Sequence, residues 1–271
     1  MNKLELPLAN KSLGQHFLKD QGVISRICSD FKGEAEAIVE IGPGPGILTE
    51  YLATRAKEEG IPFFVIEKDD RFPDYLRQFI SEDQITMTDA LAVHLSEWFK
   101  EKGIAGKKIW LVSNLPYNIS TPLLINFLQA TEIKFMTLMF QKEVADKVFP
   151  FSTTRNFMGS LHALTQAYFD SALLIKVPPG AFVPAPKVDS AVLTMTRKEI
   201  PLVPMEEFHK LEKFLRLLFS QRRKQLGGML KASFPIELIQ QSFESINVPL
   251  TIRGEALTLD QVLNLYRMLK K

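Results

Sequence analysis

Along this chain, short strand-like runs rich in apolar residues alternate with stretches in which apolar positions recur every three or four residues. The strand-like runs lie near residues 37–41, 61–66, 85–88, 109–113, 134–140, 172–177 and 191–196, each of a length suited to a strand. Helical segments separate most of them; Val23-Ile24-x-x-Ile27-Cys28-x-x-Phe31 is one amphipathic example. Alternation of this kind predicts an α/β fold on a mainly parallel sheet. The β character ends at Glu199-Ile200-Pro201-Leu202-Val203-Pro204, and residues 205–271 show helical periodicity only. We therefore expect two domains, residues 1–200 and an all-helical 201–271.

The predicted strands end in residues that carry chemistry. Ala37-Ile38-Val39-Glu40-Ile41 runs into Gly42-Pro43-Gly44-Pro45-Gly46 and then into a helical segment. Strand, glycine turn and helix form the first unit of a nucleotide-binding sheet, because the backbone must turn sharply and approach a ligand closely. A dinucleotide fingerprint needs a small residue at position 47, where Ile47 stands, and this disfavours a nicotinamide dehydrogenase. The pattern Glu40-x-Gly42-x-Gly44-x-Gly46 suits S-adenosylmethionine (SAM), which has no pyrophosphate to seat. Glu67 closes the second run 21 residues after Gly46, where an acid commonly holds the two ribose hydroxyls. Asp89 follows the third run and can accept from an adenine amine.

After the fourth run come Asn114-Leu115-Pro116-Tyr117. An amide oxygen accepts from an exocyclic NH2, Pro fixes φ, and Tyr offers a stacking face; together they suit a planar aromatic amine. The alternative is a strand end with a Pro turn and a buried Tyr. Ser120 or Thr121 is the expected N-cap of the next helix, with Pro122 in its first turn.

A length of 271 residues, 46% of them hydrophobic and 24% charged, allows one large domain and a small one. The N-terminal residues lack a long apolar stretch, so neither a leader nor a membrane span is expected, and the single cysteine, Cys28, reads as a buried structural thiol in a cytoplasmic protein. The four histidines show no ligand spacing, and no metal is expected. Net charge is only +2, but Lys213, Arg216, Arg222, Arg223, Lys224 and Lys231 lie in a stretch without an acid. It reads as helix with one basic side, and as a surface for phosphates, with Arg222, Arg223 and Lys224 at its centre.

The motifs together resemble the ribosomal RNA adenine N6-dimethyltransferases, in their small-subunit branch. The resemblance spans nearly the whole chain. It is carried by Leu13-Gly14-Gln15-His16-Phe17-Leu18, the glycine turn, Asn114 to Thr121, Gln141-Lys142-Glu143-Val144-Ala145, Val177 to Ser190 and Phe219 to Lys224. It implies a Rossmann-like class I SAM-dependent methyltransferase sheet with a small helical C-terminal domain that binds rRNA. It also implies dimethylation of two adjacent adenosines in the 3′-terminal hairpin of small-subunit rRNA during ribosome assembly. Gln15, His16 and Leu18 would form a lid over SAM, the backbone carbonyl of Leu115 would help Asn114 hold the amine, and Phe182 would face Tyr117 across the flipped base; a core position is the alternative for Phe182. A monomer is expected.

Two departures stand out. His16 replaces the Asn common in the lid, and residues 157–162 differ from the usual Tyr-Gly-x-Leu-Ser run, so no role is carried over to them. The sister family that methylates large-subunit rRNA typically has Ile where Leu115 stands, and it lacks the 177–182 run. A non-catalytic RNA-binding relative would be expected to have lost Asn114 or the glycines.

Overall fold

The computed structural model describes residues 7–10, 13–151, 158–221 and 223–270. In chain order the elements are β1 (Phe17–Leu18), α1 (Gln21–Cys28), β2 (Ala37–Ile41), α2 (Thr49–Glu59), β3 (Phe63–Glu67), α3 (Pro73–Leu76) and β4 (Ile85–Met87). Then come α4 (Leu95–Glu101), β5 (Ile109–Asn114), α5 (Ser120–Gln129), β6 (Ile133–Gln141), α6 (Lys142–Val148), α7 (Ser160–Tyr168), β7 (Phe169–Val177), β8 (Phe182–Val183) and β9 (Ser190–Arg197). Four helices follow: α8 (Phe208–Leu218), α9 (Leu226–Leu230), α10 (Ile236–Ser245) and α11 (Leu259–Leu269).

Seven strands form one sheet in the order β4-β3-β2-β5-β6-β9-β7. The pairs from β4 through β6 are parallel, whereas β9 is antiparallel to β6. The central strands are buried on both faces, which is why they read as unbroken apolar runs. The chain order reverses between β2 and β5, and ligands of open α/β sheets bind beyond the carboxyl ends at such a point. The short β1 and β8 pair separately and antiparallel, with Leu18 opposite Phe182. Cys28 is buried on α1, and burial pushes its thiol up to about 12, as suits a packing residue.

The chain divides into two compact units. One runs to Ala145 and takes in Ser171–Arg197; the other comprises Asp146–Asp170 and Lys198 onward. The second unit thus includes an insertion from the middle of the chain as well as the residues after Arg197. Its reason is apolar: Ala163, Leu164, Ala167 and Tyr168 on α7 are buried, and the Tyr168 and Phe208 rings lie 5.3 Å apart. Lys198 and Leu202 donate backbone hydrogen bonds to Tyr168 and Ala167, tying the linker to α7. Among the described residues no helix is long and apolar enough to cross a membrane.

Candidate active site

Beyond the carboxyl ends of β2, β3, β4 and β5 lies a cleft of roughly 1170 Å³, counting the part open to solvent. Its wall includes Gln15, His16, Leu18, Glu40, Gly42, Gly44, Glu67, Asp89 and Asn114 through Tyr117, so the separate strand-end residues converge on one place.

The glycine turn is left-handed at Gly42, Gly44 and Gly46, with φ of 66°, 56° and 87°. A Cβ at Gly46 would also lie 2.9 Å from the Phe79 ring, so only glycine fits there. Glu67 holds this turn: its Oε2 accepts from Gly44 N–H at 2.8 Å, and its Oε1 accepts from Lys68 and Asp69 N–H at 2.7 Å each. A carboxylate has about four acceptor positions, so Oε2 keeps acceptor capacity beyond these three amides. Burial raises the pKa of Glu67, while these three amides oppose the rise. Glu40, only 2% exposed, accepts from the Thr49 hydroxyl at 2.7 Å and so ties β2 to α2. Burial pushes its carboxyl up to about 8; Thr49 opposes the rise and the Glu67 charge adds to it.

Asp89 accepts from Leu91 N–H at 2.9 Å and pairs with Lys68 Nζ at 2.7 Å, and the Lys68 ammonium holds its carboxyl below the usual range. Gln15 lines the cleft with its side chain committed to a clamp: Nε2 donates to Asp69 at 2.7 Å, and Oε1 accepts from Arg71 and from Asn10 N–H. Arg71 holds the Asp69 carboxyl down to about 2. Thr49, Asp69, Arg71 and Lys68 were not singled out in the sequence; isolated polar residues near strand ends carry no pattern of their own.

Asn114 ends β5, and its Nδ2 donates to the His16 backbone carbonyl at 3.1 Å. That bond uses the amide nitrogen and leaves Oδ1 as the acceptor for a ligand. The Tyr117 hydroxyl and Ser190 Oγ are 2.7 Å apart, and burial raises the Tyr117 pKa. The His16 imidazole stacks on the Tyr117 ring with centroids 5.2 Å apart and a 27° tilt, and its Nδ1–H donates to the Pro184 carbonyl at 2.8 Å. The His16 side chain therefore belongs to the Tyr117 side of the cleft. Leu18 is a core residue whose edge reaches the wall.

Three expectations are corrected. Phe182 does not line the cleft: it is 2% exposed in the hydrophobic core with Leu18, its partner across the β1–β8 pair, and the next residue, Val183, is the exposed one. Neither Ser120 nor Thr121 caps α5; the N-cap is Ile119 without a side-chain bond, and the Ser120 hydroxyl donates to the Tyr117 carbonyl. The basic stretch is not one helix, since α8 ends at Leu218 and α9 begins at Leu226, and Arg216 pairs with Glu212 one turn back at 2.6 Å. Arg223 and Lys224 are exposed between those helices, and Arg222 lies outside the described residues.

A family model described as ribosomal RNA adenine dimethylase matches residues 7–271. The chain is 37% identical over 261 residues to the ribosomal RNA small subunit methyltransferase A of Lachnoclostridium phytofermentans, covering 93% of this chain and 88% of that one. It is 33% identical over 271 residues to the protein of that name from Bacillus pumilus, covering 96% and 91%. Among solved structures it is similar to the 23S rRNA methyltransferase ErmE, with a TM-score of 0.70, 25% identity and coverage of 93% and 99%. A dimethyladenosine transferase from Plasmodium falciparum shares the fold, with a TM-score of 0.73, 22% identity and coverage of 92% and 96%. With its glycine turn, strand-end acids and Asn114–Tyr117 motif in one cleft, the chain belongs to the ribosomal RNA adenine dimethylase family.

Proposed function

We propose that this protein uses SAM to dimethylate the N6 amines of two adjacent adenosines in the 3′-terminal hairpin loop of small-subunit rRNA, during assembly of the small ribosomal subunit. The observation that carries this reading is the fixed amide of Asn114, held by His16 in the same cleft as the glycine turn and Glu67. The small-subunit assignment is supported by the names of the relatives that match over nearly the full chain. A large-subunit target, as in the name of ErmE, is the second reading, and Leu115 and the Val177–Phe182 run argue against it.

The residues present fit SAM. A Cβ at Gly42 would meet nothing within 4 Å, so the turn offers open backbone to a ligand. Glu67 keeps acceptor capacity for a ribose hydroxyl, and Asp89 keeps acceptor capacity beside Ala90 for the adenine amine. When bound, SAM supplies a methyl group that is already activated, so the protein contributes mainly proximity and orientation. No metal is required.

Asn114 Oδ1 and the Leu115 carbonyl accept the amine hydrogens, which withdraws the N6 lone pair from the ring and frees it for attack. Pro116 holds the turn. The target base must leave its stack to reach this point, and Tyr117 is the aromatic face that receives it. The second unit, with Arg223 and Lys224 exposed in the α8–α9 turn and Arg222 beside them in sequence, binds rRNA phosphates, and the protein acts as a monomer. The test is to incubate it with labelled SAM and hypomethylated small subunits, then map the modified bases. Dimethyladenosine at two adjacent positions of the 3′ hairpin is expected; label confined to large-subunit rRNA would favour the second reading.

A further inference from the structure

A second pocket opens on the same edge of the sheet, lined by Lys142, Lys176, Val177, Pro178, Asp189 and Ser190. The antiparallel pair builds it: Gln141 at the end of β6 lies opposite Ser190 at the start of β9, and Lys142 N–H donates to the Asp189 carbonyl at 2.9 Å. Lys176 comes from the end of β7, on the other side of β9. The pocket adjoins the first site through one contact, the 2.7 Å bond between Ser190 and the Tyr117 hydroxyl.

Its chemistry is mixed. Two ammonium groups suit a phosphate, but the Asp189 carboxylate disfavours a bare anion. A carboxylate beside two lysines suits a group that carries a hydroxyl next to a phosphate, with Val177 and Pro178 against the carbon face of a sugar. We propose that this pocket holds the ribose phosphate of the nucleotide next to the target adenosine. Lys142 and Lys176 hold the phosphate, and Asp189 accepts the 2′-hydroxyl, the group by which a protein tells RNA from DNA. The inference rests on the rRNA-methylation reading and deepens it: the enzyme grips the neighbour while Tyr117 receives the flipped base.

The test measures RNA binding apart from turnover, so that a chain that binds but does not methylate removes the earlier reading and still tests the pocket. The full-length protein and its Lys142→Gln/Lys176→Gln variant are titrated with a hairpin RNA carrying the two adjacent adenosines, across a salt series. Loss of one phosphate contact should weaken binding roughly tenfold and flatten the log–log salt slope by about one unit, with SAM affinity and Tm unchanged. The wild type should also bind more weakly when the nucleotide on one side of the target is 2′-deoxy, and Asp189→Ala should lose that discrimination. Both results are required. An unchanged salt slope in the double variant, or Asp189→Ala that still distinguishes ribose from deoxyribose, overturns the proposal.

Discussion

The two sides of the cleft are built differently. On the SAM side the polar groups are already committed to one another: Glu67 to three amides, Glu40 to Thr49, Gln15 to Asp69 and Arg71. On the Tyr117 side the groups hold one another in place of a base, with His16 stacked on Tyr117 and Phe182 withdrawn into the core. The first arrangement is rigid and needs only a ligand. On the second, the Tyr117 ring is held by His16 on one face and by Ser190 at its hydroxyl, so a base received there stacks on the remaining face or displaces the imidazole. Preorganisation is thus complete around the glycine turn and depends on the incoming base around Tyr117.

The largest effect expected is on the acceptor's side. Asn114→Ala removes the oxygen proposed to hold the amine as it begins to carry charge. Single-turnover methyl transfer at saturating RNA and SAM should fall by about 10²–10³-fold, the loss typical of a contact made in the transition state. SAM affinity by calorimetry should change little. A near-normal single-turnover rate would move the active site elsewhere.

Glu67→Ala should show the opposite signature. It removes the acceptor proposed for a ribose hydroxyl and also strands the amides of Gly44, Lys68 and Asp69. We expect SAM affinity to fall by about 1.5–3 kcal/mol, with a lowered Tm because buried donors lose their acceptor. Unchanged SAM binding would remove Glu67 from the ligand site, and an unchanged Tm would mean that the turn holds itself.

The SAM side was also the more legible in sequence. Strands buried on both faces print as apolar runs, and Glu67 and Asp89 print as the acids at or just after their ends. The Tyr117 side depends on side-chain direction, which no run records. Phe182 sits in a two-residue strand, too short for a period-2 pattern to assign its face. The β1–β8 pair was invisible for the same reason. In the helical unit the acid partner of Arg216 was missed because Glu212 precedes the acid-free stretch by one residue, while a helix pairs positions four apart. The insertion at 146–170 was missed because tertiary contact, and not composition, assigns it to the helices.

A third prediction contrasts the cleft with the helical unit. Neutralising Arg222, Arg223 and Lys224 together should weaken rRNA binding without base preference. It should flatten the log–log salt slope by roughly two to three units, at about 0.7–0.9 per phosphate contact. SAM affinity should be unaffected. Weaker binding with an unchanged slope would mean that these residues support the helical fold instead.

The smallest expected effect on methyl transfer comes from a pH dependence of stability on the SAM side. Glu40 titrates near 8 in the fold against about 4.5 when unfolded. Between those values the folded chain holds a proton that the unfolded chain has released, so stability is fully present below about pH 4.5 and is lost as pH rises to about 8. Glu40→Gln keeps an acceptor oxygen for Thr49 and cannot ionise. Measured without SAM, its Tm relative to the wild type should therefore be higher at pH 8.5 than at pH 5. Asn114→Ala, which alters no titrating group, should show no such trend. A Glu40→Gln difference that is the same at both pH values would mean that Glu40 is ionised in the fold, its charge accommodated by the Thr49 hydroxyl despite the nearby Glu67.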